Sequence, residues 1–328
     1  MSSMNVDPFG RKIDYLRISV TDRCNERCLY CMPEGYAGWA QRADHLRADE
    51  VVRAVEAAAS LGFRKFRVTG GEPLVRQDLV EILERIWAVP GVETLGVSTN
   101  GLRLAELAGA LKRAGVRSLN VSLDALDPVI YRRITGGEVE RVLEGLAAAR
   151  EAGFERIKLN TVLLRHQNET ELARLVEFAA AQDHPIRLIE LMPMSRDETW
   201  TVEHFLSGRA AKKILGGDQA FEPAPETRLG HGPAAYTRHL PTGAVVGWIG
   251  ALTRTDFCSG CNKLRLTADG KLRPCLGRHG EIDVMPALRS GNAEAVREVF
   301  LRCLAGKPAD HSFTTDYLPG RPMVAIGG

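Results

Sequence analysis

The stretch DYLRISVTDRCNERCLYC, residues 14–31, joins a strand-like run to three closely spaced cysteines. Tyr15 to Val20 is apolar and β-branched enough to read as a strand. Cys24, Cys28 and Cys31 follow it in the pattern C-x3-C-x2-C, with no fourth cysteine nearby. Outward from this stretch the same succession recurs. Strands are expected at 15–20, 65–69 (KFRVT), 94–99 (TLGVST), 117–123 (RSLNVSL), 156–164 (RIKLNTVLL) and 186–191 (IRLIEL). Amphipathic runs separate them, such as 49–62 and 104–115; the second puts Leu104, Leu107, Ala108 and Leu111 on one helical face. Gly62, Gly115 and Gly153 each stand where a helix would hand over to a strand, the place for a left-handed cap.

A βα unit repeated about six times implies a parallel sheet, partly closed as a barrel or open and doubly wound. In both, ligands collect at the C-terminal ends of the strands. Those ends carry the cysteine loop, TGGEP (69–73), STNG (98–101), Ser122 and Asp124, Lys158 and Asn160, and Met192.

The pattern changes near residue 225, in FEPAPETRLGHGP, where a boundary is expected between units 1–225 and 226–328. Beyond it, 236–250 reads as a hairpin turning at Pro241–Gly243, and 263–276 as a second with Asp269–Gly270 at its turn. A helix is expected over 293–304.

A net charge of +2 is too small for general nucleic-acid binding, so any basic function must be local. No run approaches the roughly 20 apolar residues of a membrane span, and MSSMNVDPFGRKID lacks the apolar core of a secretory signal. A cytoplasmic protein is expected. Of seven cysteines, six fall in two groups of three, Cys24, Cys28, Cys31 and Cys258, Cys261, Cys275. Such clustering favours metal over disulfides. Cys303, on a helical pattern with Val299 and Leu304, reads as a buried small hydrophobe.

Thiolates are soft ligands suited to zinc or iron–sulfur clusters. Structural zinc wants four protein ligands, commonly as two pairs. Three in one loop fit better a [4Fe–4S] cluster with one iron left open for a small molecule. Zinc completed by a distant residue, or free buried cysteines, are the alternatives. For the second group, C-x2-C-x13-C, a zinc knuckle completed by His279 is the alternative. Residues 254–278 carry Arg254, Lys263, Arg265, Lys271, Arg273 and Arg278 against Asp256 and Asp269. Strand alternation puts Lys263 and Arg265 on one face, where they could grip a polyphosphate. Arg17 and Arg67 are charges inside apolar strands, costly unless paired. Either they face an anion in a barrel lumen or they bridge to Glu72 or Asp124. Lys158 repeats the case.

CNERCLYC followed one βα unit later by TGGEP resembles the signature of the radical S-adenosylmethionine superfamily. The second triad, DFCSGCNKLRLTADGKLRPCL and the terminal IGG extend the resemblance along nearly the whole chain to the GTP 3′,8-cyclase (MoaA) family of molybdenum cofactor biosynthesis. The resemblance implies a partial (β/α)6 TIM-like barrel with a smaller C-terminal domain bearing a second iron–sulfur cluster. It implies two [4Fe–4S] clusters, on Cys24, Cys28, Cys31 and on Cys258, Cys261, Cys275, with S-adenosylmethionine on the first. Tyr30, Gly71, Ser122 and Met192 match positions that touch S-adenosylmethionine. Arg17, Arg67, Ser98, Lys158, Lys263 and Arg265 match positions around GTP. Where the family pattern has Arg-x-Arg this chain has Lys263-Leu264-Arg265, which keeps the charge but loses one fork. Gly327 and Gly328 match a tail that enters the active site. Expected partners are GTP, a flavodoxin-like electron donor and the cyclic pyranopterin monophosphate synthase that takes the product. The residues leave monomer or homodimer open. A peptide-modifying radical enzyme with auxiliary clusters, or a zinc-binding interaction module, are the other readings.

Overall fold

Six parallel strands, each followed by helix, form the frame. They are β1 (Tyr15–Ser19), β2 (Lys65–Thr69), β3 (Thr94–Thr99), β4 (Ser118–Ser122), β5 (Ile157–Leu163) and β6 (Ile186–Glu190), paired in chain order. The computed structural model describes residues 5–32, 36, 42–194, 198–224, 232–315 and 320–327. All six strands fall within a residue or so of the expected bounds. The helices α1 (Ala48–Ser60), α2 (Leu79–Trp87), α3 (Leu104–Arg113), α4 (Pro128–Thr135), α5 (Val139–Glu151) and α6 (Leu172–Ala181) complete the repeat.

Local chemistry explains these elements. In α3, Leu104, Ala108 and Leu111 are buried, and Leu107 packs partly buried against the same core. The helix ends before Gly115, whose φ of +91° suits only glycine and whose Cβ would strike Trp87. Asp127 caps α4 by accepting from the N–H groups of Val129 and Ile130, with Pro128 at the first turn. Outward-facing strand residues such as Leu16, Ile18, Val68, Val97 and Val121 pack under the helices as one core.

The C-terminal third does not stand apart from this sheet. The short helices α7 (Glu198–His204) and α8 (Gly208–Ile214) lead to β7 (Phe221–Pro223), β8 (Ala235–His239) and β9 (Val245–Ile249). The expected hairpin is β8–β9, and β9 pairs parallel with β6. The second hairpin, β10 (Lys263–Leu266) with β11 (Lys271–Arg273), puts β10 parallel beside β1, and β12 (Ile282–Asp283) follows at the edge. One sheet results, in the order β12-β11-β10-β1-β2-β3-β4-β5-β6-β9-β8-β7. Both edges that an isolated six-stranded frame would leave bare are thus covered. The helices α9 (Met285–Ser290), α10 (Ala293–Ala305) and α11 (Met323–Ile326) close the chain. Cys303, in α10, is fully buried as expected. The boundary expected at residue 225 lies outside the described residues. Among the described residues no helix is long and apolar enough to cross a membrane.

Candidate active site

The inward-facing strand residues enclose one cavity of about 420 Å³. Both cysteine triads line it. So does every expected site residue except the tail glycines: Tyr30, Gly71, Ser122, Met192, Arg17, Arg67, Ser98, Lys158, Lys263 and Arg265.

At one end the loop after β1 carries Cys24, Cys28 and Cys31. The N–H groups of Arg27 and Leu29 bond the carbonyls of Thr135 and Ile134, which pins the loop to α4. The three thiols are unbridged, and Cys24 and Cys28 both feel the charge of Cys31. Burial pushes each well above the ordinary thiol range, Cys31 to about 12, and nearby Glu26 adds to it. Three neighbouring thiols so costly to ionise alone suit a cationic metal cluster, which would hold them as thiolates.

Gly71 is required here by a close approach. A Cβ on it would lie 2.4 Å from the Arg23 carbonyl oxygen, because its own N–H bonds Thr21 O at 2.7 Å. TGGEP thereby seats directly on the cysteine loop. Glu72 accepts from the N–H of Leu74, the Thr99 hydroxyl and the N–H of Asn100. Asp124 accepts from the Tyr30 hydroxyl at 2.7 Å and the N–H of Val162. The partners shown for Arg67 are Tyr15, Val97 and Ser118, not either of these carboxylates. Burial raises Glu26 to about 8, Glu72 to about 7 and Asp124 to about 6, with hydrogen bonds opposing in each case. Met192 packs partly buried in a small apolar cluster with Met194, Phe257 and Met323.

The other end is cationic. In register across three adjacent parallel strands stand Arg265, Arg17 and Arg67. Neighbouring strands lie about 4.8 Å apart, so these are side-by-side like charges. Arg67 donates to the Tyr15 hydroxyl, to Val97 O and to Ser118 Oγ. Burial, then the surrounding cations, lowers Lys158 to about 7. Lys263 falls to about 8 and Arg265 to about 9, burial again leading. Tyr15 is brought down to about 8, because Arg67, Arg17 and Lys263 together outweigh the upward push of burial. Ser98 lies in the same wall and accepts a long bond from Asn120 Nδ2 at 3.4 Å.

The basic stretch 254–278 does not act as one patch. Arg254 pairs with Asp256, Lys271 with Asp283 and Arg273 with Glu281, and Arg278 donates to Asp310 O. Only Lys263 and Arg265 reach the cavity, since they alternate inward on β10. Conversely, Arg187 on β6 lines the cavity and was not singled out, although the rule that flagged Arg17 applies to IRLIEL. Its Nε is buried without a hydrogen-bond partner among the described residues, and burial lowers its pKa to about 10. Such an atom awaits an acceptor.

Cys258, Cys261 and Cys275 stand at this end, also unbridged and mutually coupled. Burial raises Cys258 and Cys275. Cys261 is instead held below the usual thiol range: burial opposes this, but Lys307 and Lys263 beside it prevail. A cationic setting that favours thiolate suits metal ligation. His279 does not line the cavity; its ring stands 3.4 Å from where a Cβ on Gly320 would be. Among the described residues, no three His, Cys, Asp or Glu side chains are arranged to hold a single metal ion. Of the tail, Gly327 carries φ +91° between Ser19 and Thr69, and its carbonyl accepts from Arg265 Nη1 at 2.8 Å. Gly327 is thus held against the ends of β1 and β2 without lining the cavity; Gly328 lies outside the described residues.

A family model described as the radical SAM superfamily matches residues 18–179, and one described as Molybdenum Cofactor Synthesis C matches 184–313. A GTP 3′,8-cyclase of Petrotoga mobilis is 39% identical over 98% of this chain and 100% of its own length. That of Rhodopirellula baltica is 42% identical over 98% of this chain and 92% of its own. The chain belongs to the GTP 3′,8-cyclase family. Family membership brings with it S-adenosylmethionine and a [4Fe–4S] cluster, the cofactors of the radical SAM superfamily. In fold the chain resembles anSMEcpe with bound AdoMet, with TM-score 0.61 at 14% identity, over 91% of this chain and 82% of that one. It also resembles Streptococcus suis SuiB, with TM-score 0.59 at 14% identity, over 86% of this chain and 65% of SuiB.

Proposed function

We propose that the cavity binds S-adenosylmethionine at its acidic, first-triad end and GTP at its cationic end, and that the chain converts GTP to 3′,8-cyclo-7,8-dihydro-GTP at the start of molybdenum cofactor biosynthesis. The in-register row Arg265, Arg17 and Arg67 carries this reading. Three adjacent arginines cost folding energy unless an anion of matching charge density lies across them. A triphosphate has that density, and guanidinium forks suit its oxygens. Lys158, Arg187 and Lys263 add point charges around the same space. S-adenosylmethionine carries a sulfonium, so the carboxylates Glu26, Glu72 and Asp124 at the opposite end favour it by the same argument.

Cys24, Cys28 and Cys31 would hold the first cluster, and Cys258, Cys261 and Cys275 a second. When bound, the first cluster and S-adenosylmethionine supply a 5′-deoxyadenosyl radical, which is the oxidant for the ribose 3′ hydrogen. The chain's own residues do the aligning. Tyr30, fixed by Asp124, and Gly71 shape the S-adenosylmethionine end, with Ser122 and Met192 on its walls. Arg17, Arg67, Arg265 and Ser98 fix the triphosphate end, while Phe257, His311 and Phe313 wall the second triad with aromatic surface suited to a purine. The tail, held to Arg265 through Gly327 O, would help to close the wall at β1 and so limit water. An external one-electron donor and a following enzyme that rearranges the product complete the scheme.

The test is anaerobic formation of 5′-deoxyadenosine from S-adenosylmethionine under dithionite. Stimulation by GTP and not by ATP is expected, together with a product carrying a new ribose–purine carbon bond. Cleavage indifferent to GTP would overturn the substrate assignment.

A further inference from the structure

Lys307 lies just past the C-terminal end of α10 and is 4% exposed. It does not line the cavity but stands behind its wall. Its ammonium donates to the carbonyl of Lys263 at 2.9 Å and to that of Pro274 at 2.6 Å. It also stands beside the Cys261 thiol, whose ionisation its charge favours. A lysine ammonium has three N–H donors and no acceptor, so two are committed to carbonyls and the third remains for that sulfur. The acceptors are placed tellingly. Lys263 comes two residues after Cys261, and Pro274 immediately precedes Cys275. One ammonium therefore ties together both ends of the β10–β11 hairpin at the points where its ligands leave.

The same segment is gripped from the other side. Arg11 donates to Pro308 O at 2.5 Å, to Ala309 O at 2.7 Å and to Cys258 O at 2.9 Å. Residues 307–309 and Arg11 thus reach Cys258, Cys261 and the residue before Cys275 without lining the cavity. A buried ammonium with two neutral carbonyl acceptors beside a thiol is costly unless negative charge resides on the sulfur side. A thiolate-ligated cluster supplies that charge.

We propose that Lys307 is a positioning residue for the second cluster: its ammonium holds Cys261 and Cys275 in register and sets a fixed positive charge at the Cys261 sulfur, which makes that cluster easier to reduce. This rests on the reading that the second triad holds a cluster. Hydrogen bonds and net charge at the sulfurs are established levers on a cluster's potential, and supporting contacts of this kind govern metal affinity.

The experiment uses the full chain with Cys24, Cys28 and Cys31 all replaced by Ser, so that only the second triad can bind. After anaerobic reconstitution this parent should hold about four irons. Redox titration followed by electron paramagnetic resonance then compares Lys307→Gln and Lys307→Arg with it. Gln keeps two donors without the charge. Its reduced-to-oxidised ratio at a fixed potential should fall about tenfold, a shift of about 59 mV to more negative potential for one electron. Arg should stay near the parent. Loss of iron from Gln but not Arg, with unchanged circular dichroism, would also support the role. An unchanged midpoint in Gln, or equal change or iron loss in Arg, would overturn it. A parent that binds no iron would instead remove the second cluster itself, an outcome visible before any Lys307 variant is made.

Discussion

The two ends of the cavity use the same ligand chemistry in opposite electric fields. Around Cys24, Cys28 and Cys31 the buried ionisable groups are carboxylates, and burial lifts Glu26 to about 8 and Glu72 to about 7. Around Cys258, Cys261 and Cys275 they are cations, and burial depresses Lys263 to about 8 and Arg265 to about 9. Each end resists its own charge and is relieved by a guest of opposite sign. A lumen with such a gradient orients its guests before any specific contact forms, a cation toward one triad and a polyanion toward the other.

The comparison breaks most completely at the thiols. Cys24→Ala should abolish 5′-deoxyadenosine formation, whereas Cys258→Ala should leave some cleavage that no longer responds to GTP. Chromatographic assay of 5′-deoxyadenosine with and without GTP checks both. Next in size is the cationic row. Arg265→Ala removes a charge-assisted contact worth roughly 1.5–3 kcal/mol, so GTP should bind about 10–100-fold more weakly by calorimetry. S-adenosylmethionine affinity should be unchanged, and a matching loss there would deny that the ends act separately.

A smaller effect follows from pH. Lys158 has its pKa lowered to about 7, by burial first and then by Arg187 and Arg67. It is neutral above that pH and cationic below it, so inorganic triphosphate should bind more tightly as pH falls from 8.5 to 7. Tyr15, brought to about 8, loses phenolate charge in the same direction. Binding at pH 8 should take up protons, seen as a buffer-dependent enthalpy, and Lys158→Met should reduce that uptake. The smallest change is Lys263→Arg, which restores a planar fork beside Arg265. It should tighten GTP binding a few-fold, and no change would show that Lys263 acts as a point charge only.

Much of this was legible from strand chemistry. A charge in an apolar parallel strand has nowhere to go but the lumen, and that rule located Arg17, Arg67 and Lys158. It extends to Arg187, which a reading that stopped at Met192 passed over. Glycine caps at Gly62, Gly115 and Gly153 marked the repeat because their φ values, +101°, +91° and +77°, lie in the left-handed region that favours glycine. What local pattern could not give was long-range pairing. Nothing in KLRL announces that β10 lies parallel to β1, and that pairing is what aligns Arg265 with Arg17. Nor does composition tell Lys263, which faces the cavity, from Lys271, which pairs with Asp283 on the outside. Lys307 was invisible for the same reason, since its partners at 261, 263 and 274 come from another part of the chain.

The pairing of β1 with β10 also has a consequence during synthesis. Residue 17 leaves the ribosome roughly 250 residues before its partner at 265, which at ~5–20 residues per second is on the order of ten seconds to a minute. Through that interval one edge of β1 has no strand beside it, and an arginine sits on the nascent edge. Charge on a waiting edge discourages pairing with other chains. The residue read here as a grip on triphosphate would thus first serve to keep an unfinished barrel from joining its neighbours on the polysome.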